Sequence, residues 1–296
     1  MNYYNEIKNK LIDNEIYLKV KDYSKEKNTV ITYFEIGKLL YEAGSKYGQS
    51  IIKKYSNKLM NEVGKKYNYR TLYRMRRLYE VFSNDNLTPL VSKLTWSHYL
   101  QLLPMDDTNK ITFYINLCVN QNLSKRDLID KIKNKEYERL AGKTKLKLIN
   151  KEDTQVEDLI KNPIVIKNSY NYIEISEKTV QKLILEDIES FMKELGNSFC
   201  FIGSEYKIKL GDKYNYIDLL LYNIKFKCYV VIELKTTELK KEHIGQIQTY
   251  MNYIDKNIKT IEENKTVGII IVRKDNKYIM EYCSDKRILT REYIII

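Results

Sequence analysis

From residue 30 to residue 82 apolar side chains return every three or four positions, the period of a helix buried along one stripe. In "KNTVITYFEIGKLLYEAG" they are Val30, Ile31, Phe34, Ile36, Leu39 and Leu40, and Gly44 and Gly48 then punctuate the run. "QSIIKKYSNKLMNEVG" repeats the pattern and closes on Gly64, a residue suited to a helix C-cap. "NYRTLYRMRRLYEVF" opens on Asn68, whose short amide can satisfy the orphan N–H groups of a first turn, and carries Leu72, Met75, Leu78 and Phe82 as its inner stripe. Helices are also expected over "LTWSHYLQLL", "DTNKITFYINLCVNQ" and "SKRDLIDKIKNK". In the last, Ser124 and Asp127 have the spacing of a capping box, with Asp in place of Glu.

Between Gly142 and Ser169 the period fades and Pro163 interrupts, so a linker is expected there. The expected organisation is therefore a helical domain over 1–141, a linker over 142–169 and a second domain over 170–296. The second domain begins with an amphipathic helix over 176–195, ended by Gly196. Strands follow in "SFCFIGSEYKIKL", "NYIDLLLYN" and "KCYVVIELK", then a helix in "EHIGQIQTYMNYIDKNI", then strands in "TVGIIIVR" and "KYIMEYCS". The order α-β-β-β-α-β-β predicts an α/β core with helices packed on a central sheet.

Composition narrows the class. A chain of 296 residues with 43% hydrophobic side chains can build two cores. No apolar run is long enough to cross a membrane, and "MNYYNEIKNK" lacks the apolar stretch of a signal peptide, so a cytoplasmic protein is expected. Cys118, Cys200, Cys228 and Cys283 are scattered and are expected to be small core residues. His98 and His243 stand too far apart to suggest a histidine metal site, and His98 fits a hydrogen-bonded structural role beside a core Trp96. Charge is unevenly placed: residues 1–150 hold 28 Lys and Arg against 16 Asp and Glu, whereas residues 151–296 hold 23 of each. The whole excess of +12 lies in the helical half, which suits binding to a polyanion.

Candidate chemistry sits where two strands carry charges in apolar runs. Alternation along "KCYVVIELK" sends Glu233 and Lys235 to one face, about 6.6 Å apart at roughly 3.3 Å per residue. Asp218 lies on the preceding strand, and a hairpin through "YNIKFK" brings it alongside. Charges in so apolar a setting are costly unless they pair or bind a cation. Oxygen donors from Asp218, Glu233 and the Leu234 carbonyl suit magnesium, or manganese, and Lys235 can position or activate a water. An E-x-K alone is common and is satisfied equally by a plain salt bridge. The next helix adds Gln246 and Tyr250 at i, i+4, one turn apart on one face.

Asp218, Glu233-x-Lys235 and Gln246-x-x-x-Tyr250 in this element order resemble the PD-(D/E)xK nuclease superfamily and its RecB-like branch. "ELGNSFCFIG", "YIDLLLYN", "YVVIELK", "GQIQTYMNYID" and "VGIIIVRKDN" further resemble the C-terminal nuclease domain of the bacterial YhcG family. "YFEIGKLL", "YGQSIIKKYSNKLMNEVG", "LYRMRRLYEVF" and "LTWSHYLQLL" resemble that family's N-terminal domain, in the same order. The resemblance implies catalytic Asp218, Glu233 and Lys235, with Asp218 and Glu233 as metal ligands and Gln246 and Tyr250 as accessories. Two departures stand out. The family's acidic residue in the first helix aligns with Val180 and Gln181, leaving Glu186 or Glu189 as substitutes, and its "GRQ" is here Gly203-Ser204-Glu205.

In the basic half Arg70, Arg74 and Arg77 recur along one side of a helix, with Arg76 flanking and Tyr69, Tyr73 and Tyr79 interleaved. Such a helix after the Gly64 turn suits a helix-turn-helix or winged-helix reader of DNA. The expected function is a magnesium-dependent DNA endonuclease. The alternative is a nucleic-acid-binding module with a weakened nuclease core, acting beside restriction or defence proteins. RNA stays open as a substrate, and a homodimer is one way to cut both strands.

Overall fold

In the computed structural model, which describes residues 2–19, 25–83, 88–150, 152–168, 172–196 and 198–296, the chain divides into two units, Met1–Tyr137 and Glu138–Ile296. In the first unit the described residues form α1 (Tyr3–Lys19), α2 (Lys25–Tyr47), α3 (Ser50–Glu62), α4 (Tyr69–Phe82), α5 (Trp96–Leu102), α6 (Thr108–Gln121) and α7 (Lys125–Lys133), with a 3-10 turn at Thr88–Leu90. The apolar stripes seen in sequence make its core: Ile36, Leu40, Leu72, Met75, Leu78 and Phe82 are buried together with Tyr99 and Tyr114. Caps fall where the side chains predict them. Asn68 accepts from the Thr71 N–H, and Ser124 and Asp127 form a reciprocal capping box. Gly37 sets how closely α2 and α4 approach, because a Cβ there would stand 2.9 Å from the Met75 carbonyl carbon. His98 is buried with Nδ1 2.7 Å from the Thr95 hydroxyl and Nε2 3.1 Å from the Leu123 carbonyl, a structural role.

The second unit contains α8 (Gly142–Asn150), α9 (Val156–Leu159), β1 (Ile164–Ile166), α10 (Glu177–Glu186), α11 (Ile188–Leu195), β2 (Phe199–Leu210), β3 (Lys213–Asn223), β4 (Cys228–Glu238), α12 (Lys241–Asn257), β5 (Asn264–Lys274), α13 (Lys277–Glu281) and β6 (Ile288–Ile295). The sheet order is β1-β6-β5-β4-β3-β2, antiparallel from β2 to β4 and parallel from β4 to β1. One face packs Leu219, Leu221, Val230, Ile232 and Leu234 against α10 and α11, and the other packs Leu220, Val231 and Ile270 against α12.

Four expectations change. The stretch expected as a linker folds: Val156, Ile160, Ile164 and Ile166 enter the core, and β1 pairs with β6. A three-residue strand beside Pro163 is too short to show a period. The expected start at 170 lies outside the described residues. The helix over 176–195 breaks at Asp187, whose backbone leaves helical angles and whose side chain accepts from the Ser190 N–H. "KYIMEYCS" is α13 and a turn, not a strand; Asn276 caps it, and the residues that pack inward, Ile279, Met280 and Cys283, have helical spacing. The last strand is β6. Finally, Cys200 is exposed because β2 is the sheet edge, while Cys118 and Cys228 are buried and all four thiols are free.

Candidate active site

The site forms where two strands part. The β3–β4 ladder runs from Asn223↔Cys228 to Leu219↔Ile232 and stops. Beyond it β4 continues against β5, through Glu233↔Ile270 and Lys235↔Val272, while β3 continues against β2. Asp218 is the first residue past the end of the ladder. Its Oδ2 accepts from the Leu234 N–H at 2.8 Å, so the carboxylate takes the place of a ladder partner. For Leu234, expected as a carbonyl donor, the recorded contact is thus through its N–H.

Glu233 is only 2% exposed. Its Oε2 lies 3.4 Å from the Lys235 Nζ, and its Oε1 is buried without a partner. Burial first, and then the neighbouring Asp218 charge, push its pKa up to about 8 against the pull of Lys235. Burial likewise raises Asp218, although the Leu234 N–H and Lys235 oppose it. Burial works to lower Lys235, yet Glu233, Glu177 and Asp218 outweigh it and raise its pKa, so the ammonium stays charged. His243, in the first turn of α12, is lowered by burial and then by the Lys235 charge.

Glu177 was missed in sequence. It opens α10 just after the Ser176 cap, and its Oε2 stands 3.5 Å from the Lys235 Nζ. It lies one turn before Val180, which is core, and Gln181, whose Nε2 donates to the Asp218 carbonyl at 3.0 Å. The two acids expected in this role are engaged elsewhere. Glu186 accepts from the Tyr172 hydroxyl at 3.1 Å, and Glu189 pairs with Lys193 on the surface. Glu205 lies between the Ser204↔Leu219 and Tyr206↔Ile217 pairs of the β2–β3 ladder with a left-handed backbone (φ 45°), and its charge adds to the upward pressure on Asp218. Gln246 and Tyr250 bond each other at 3.2 Å on α12, and among the described residues no hydrogen bond joins them to the three strand residues.

Among the described residues no three His, Cys, Asp or Glu side chains gather as a ready metal cage. What is present is a pair of carboxylates with one orphaned buried oxygen. That donor set fits magnesium, which is held by one or two carboxylates and keeps waters or substrate oxygens.

In the first unit Arg70, Arg74 and Arg77 line one cleft of about 580 Å³ with Tyr73, Leu100, Leu103, Pro104 and Asp106. Arg77 donates to Asp106 at 2.8 Å. Arg76 does not join them. Its side chain is 15% exposed, bonded to Gln49 and to Glu80 and lying over the Tyr41 ring.

Comparison with known proteins agrees with this division. Residues 157–295 match the YhcG PDDEXK nuclease domain, and residues 16–139 match the DUF1016 N-terminal domain. Both units thus resemble the two domains of the YhcG family. It is 24% identical to YhcG of Escherichia coli strain K12 over 81% of this chain and 75% of that one. Two solved structures are more distant. A repair endonuclease from Pyrococcus abyssi is 16% identical with a TM-score of 0.30, over 41% of this chain and 48% of that one. The EndoMS–dsDNA2 complex is 17% identical with a TM-score of 0.32, over 42% and 48%. The chain spans about half the length of these two structures. Among the described residues no helix is long and apolar enough to cross a membrane.

Proposed function

We propose that this chain is a divalent-metal-dependent nuclease that hydrolyses phosphodiester bonds in DNA, with the helical unit as its nucleic-acid-binding part. The observation that carries the reading is Glu233, buried beside a second carboxylate with one oxygen unpartnered. A protein keeps so costly an arrangement where a cation will satisfy it. Asp218 and Glu233 would hold the ion. When bound, a magnesium or manganese ion would polarise the scissile phosphate and acidify a water. The chain's own groups do the rest. The Leu234 N–H fixes Asp218, and Glu233 gives up its proton to serve as a ligand. Lys235, held charged by three carboxylates, orients the attacking water and offsets the charge growing on the phosphate; a raised pKa argues against it as the base. Glu177 steadies Lys235 from the other side. Arg70, Arg74 and Arg77 supply phosphate contacts in the helical unit, and Arg76 supports their helix.

The test is cleavage of plasmid, linear and branched DNA with magnesium or manganese. Wild-type protein should cut, and Asp218→Ala or Lys235→Ala should lower the rate on the order of a hundredfold or more while binding persists. No cutting of any of these substrates by wild type overturns the reading. One rival, a binding module with a weak nuclease core, is favoured by Val180 and Gln181 standing where the family's first-helix acid aligns. That rival predicts metal-independent, salt-sensitive binding without cleavage, for DNA or RNA.

A further inference from the structure

From Tyr206↔Ile217 to Leu210↔Lys213, strands β2 and β3 pair with each other where β3 no longer pairs with β4, forming a two-stranded arm that adjoins the candidate site at Asp218. Its two faces differ. Ile208 and Ile217 are buried with Ile247, Tyr250 and Met251 of α12, and Tyr206 and Leu210 pack against the same cluster. The alternate positions, Lys207, Lys209, Tyr214 and Tyr216, are exposed. The ladder sets Lys207 opposite Tyr216 and Lys209 opposite Tyr214. The Lys207 Nζ lies 3.9 Å from the Tyr214 ring centre, and the Lys209 Nζ 6.0 Å. Tyr214 and Tyr216 nevertheless keep 55% and 53% of their surface exposed. Asp218 follows Tyr216 by two residues on the same strand.

We propose that this lysine–tyrosine face is a track for an unpaired DNA strand, with phosphates on Lys207 and Lys209 and bases against Tyr214 and Tyr216, leading the strand to Asp218. The proposal rests on the nuclease reading and adds where the substrate lies. Lysines alone on an edge strand guard against sheet-to-sheet association. Two large aromatic rings left in solvent between them do not serve that purpose, since exposed tyrosine surface invites contact. Interleaved cations and rings are what a single strand needs: backbone neutralisation plus stacking that tolerates any base. The inner face is fixed in the core, so the track is rigid before substrate arrives.

The experiment uses the full chain in EDTA with a fluorescein-labelled 20-nucleotide single strand and the blunt duplex of the same sequence. Lys207→Gln/Lys209→Gln should weaken single-strand binding and lower the slope of log affinity against log salt by about 1.4 for two lost phosphate contacts. Tyr214→Ala/Tyr216→Ala should weaken single-strand binding about tenfold or more and leave the duplex far less affected. Tyr214→Phe/Tyr216→Phe should bind like wild type, and circular dichroism should show all variants folded. If wild type cuts DNA with magnesium but the lysine and alanine variants bind the single strand unchanged, the track is wrong and the nuclease reading stands. Equal losses on strand and duplex from the alanine variant overturn the assignment to an unpaired strand. If wild type neither binds nor cuts, both readings fall.

Discussion

Glu233 makes a quantitative prediction about stability that requires no substrate. In the metal-free protein its carboxyl is pushed from an ordinary 4.5 to about 8. Between those values the folded protein holds a proton that the unfolded chain has released. Folding stability must therefore fall as pH rises through this window, by about 1.4 kcal/mol per pH unit from this group alone. Other carboxylates add slopes of their own, so wild type is best compared with Glu233→Gln, which removes only this titration. The stability of the variant minus that of wild type should rise by about 3–4 kcal/mol between pH 5 and pH 8. Asp218, raised mainly by burial, contributes in the same direction in both proteins. Urea unfolding at several pH values, in EDTA and followed by circular dichroism, measures the difference. A difference independent of pH would refute the claim that Glu233 is held protonated by its surroundings. Magnesium added to wild type should flatten the slope, because a bound cation replaces the proton.

Four further outcomes are expected. Glu177→Gln should slow cleavage about tenfold or more, as loss of a supporting contact to a catalytic group does, while Glu186→Gln and Glu189→Gln stay near wild type in initial-rate assays. Arg74→Ala/Arg77→Ala should weaken DNA binding and flatten its salt dependence, whereas Arg76→Ala should chiefly lower the melting temperature. Glu194→Ala should destabilise by about 3–5 kcal/mol, because it removes a buried carboxylate shared by Arg139 and Lys161, whose side chains are 9% and 7% exposed. Gly37→Ala should cost several kcal/mol, on the order of the larger overpacking penalties, through its clash with the Met75 backbone; thermal unfolding reports both.

What could be read in advance followed from local rules. The stripes of α2 and α4, the Asn68 cap and the Ser124–Asp127 box depend on residues within a few positions of each other, and so do the strands that carry Asp218, Glu233 and Lys235. What could not be read depends on distant encounters. Nothing near Glu177 in sequence signals that the start of α10 will meet the end of β4. Arg76 differs from Arg77 by one position, and that 100° step along the helix turns it from the cleft towards Gln49 and Glu80. β1 is invisible for the same reason, since among the described residues it pairs with β6 alone. The aromatic and apolar residues of "KYIMEYCS" imitate a strand, and the packing of Ile279, Met280 and Cys283 reveals a helix.

The β1–β6 pairing carries a cost in time. Ile164 to Ile166 meet Tyr293 to Ile295, so the two ends of the second unit must find one another before its sheet is complete. Contacts between segments so distant in sequence are slow to form, and during that delay the edges of β5 and β1 are open to pairing with other chains. In the helical unit the most extensive pairing, α2 with α4, spans a single intervening helix, so its wait is shorter. During synthesis the basic helical half should therefore mature first and the half that carries the sheet last, which makes β6 the segment on which aggregation during expression most depends.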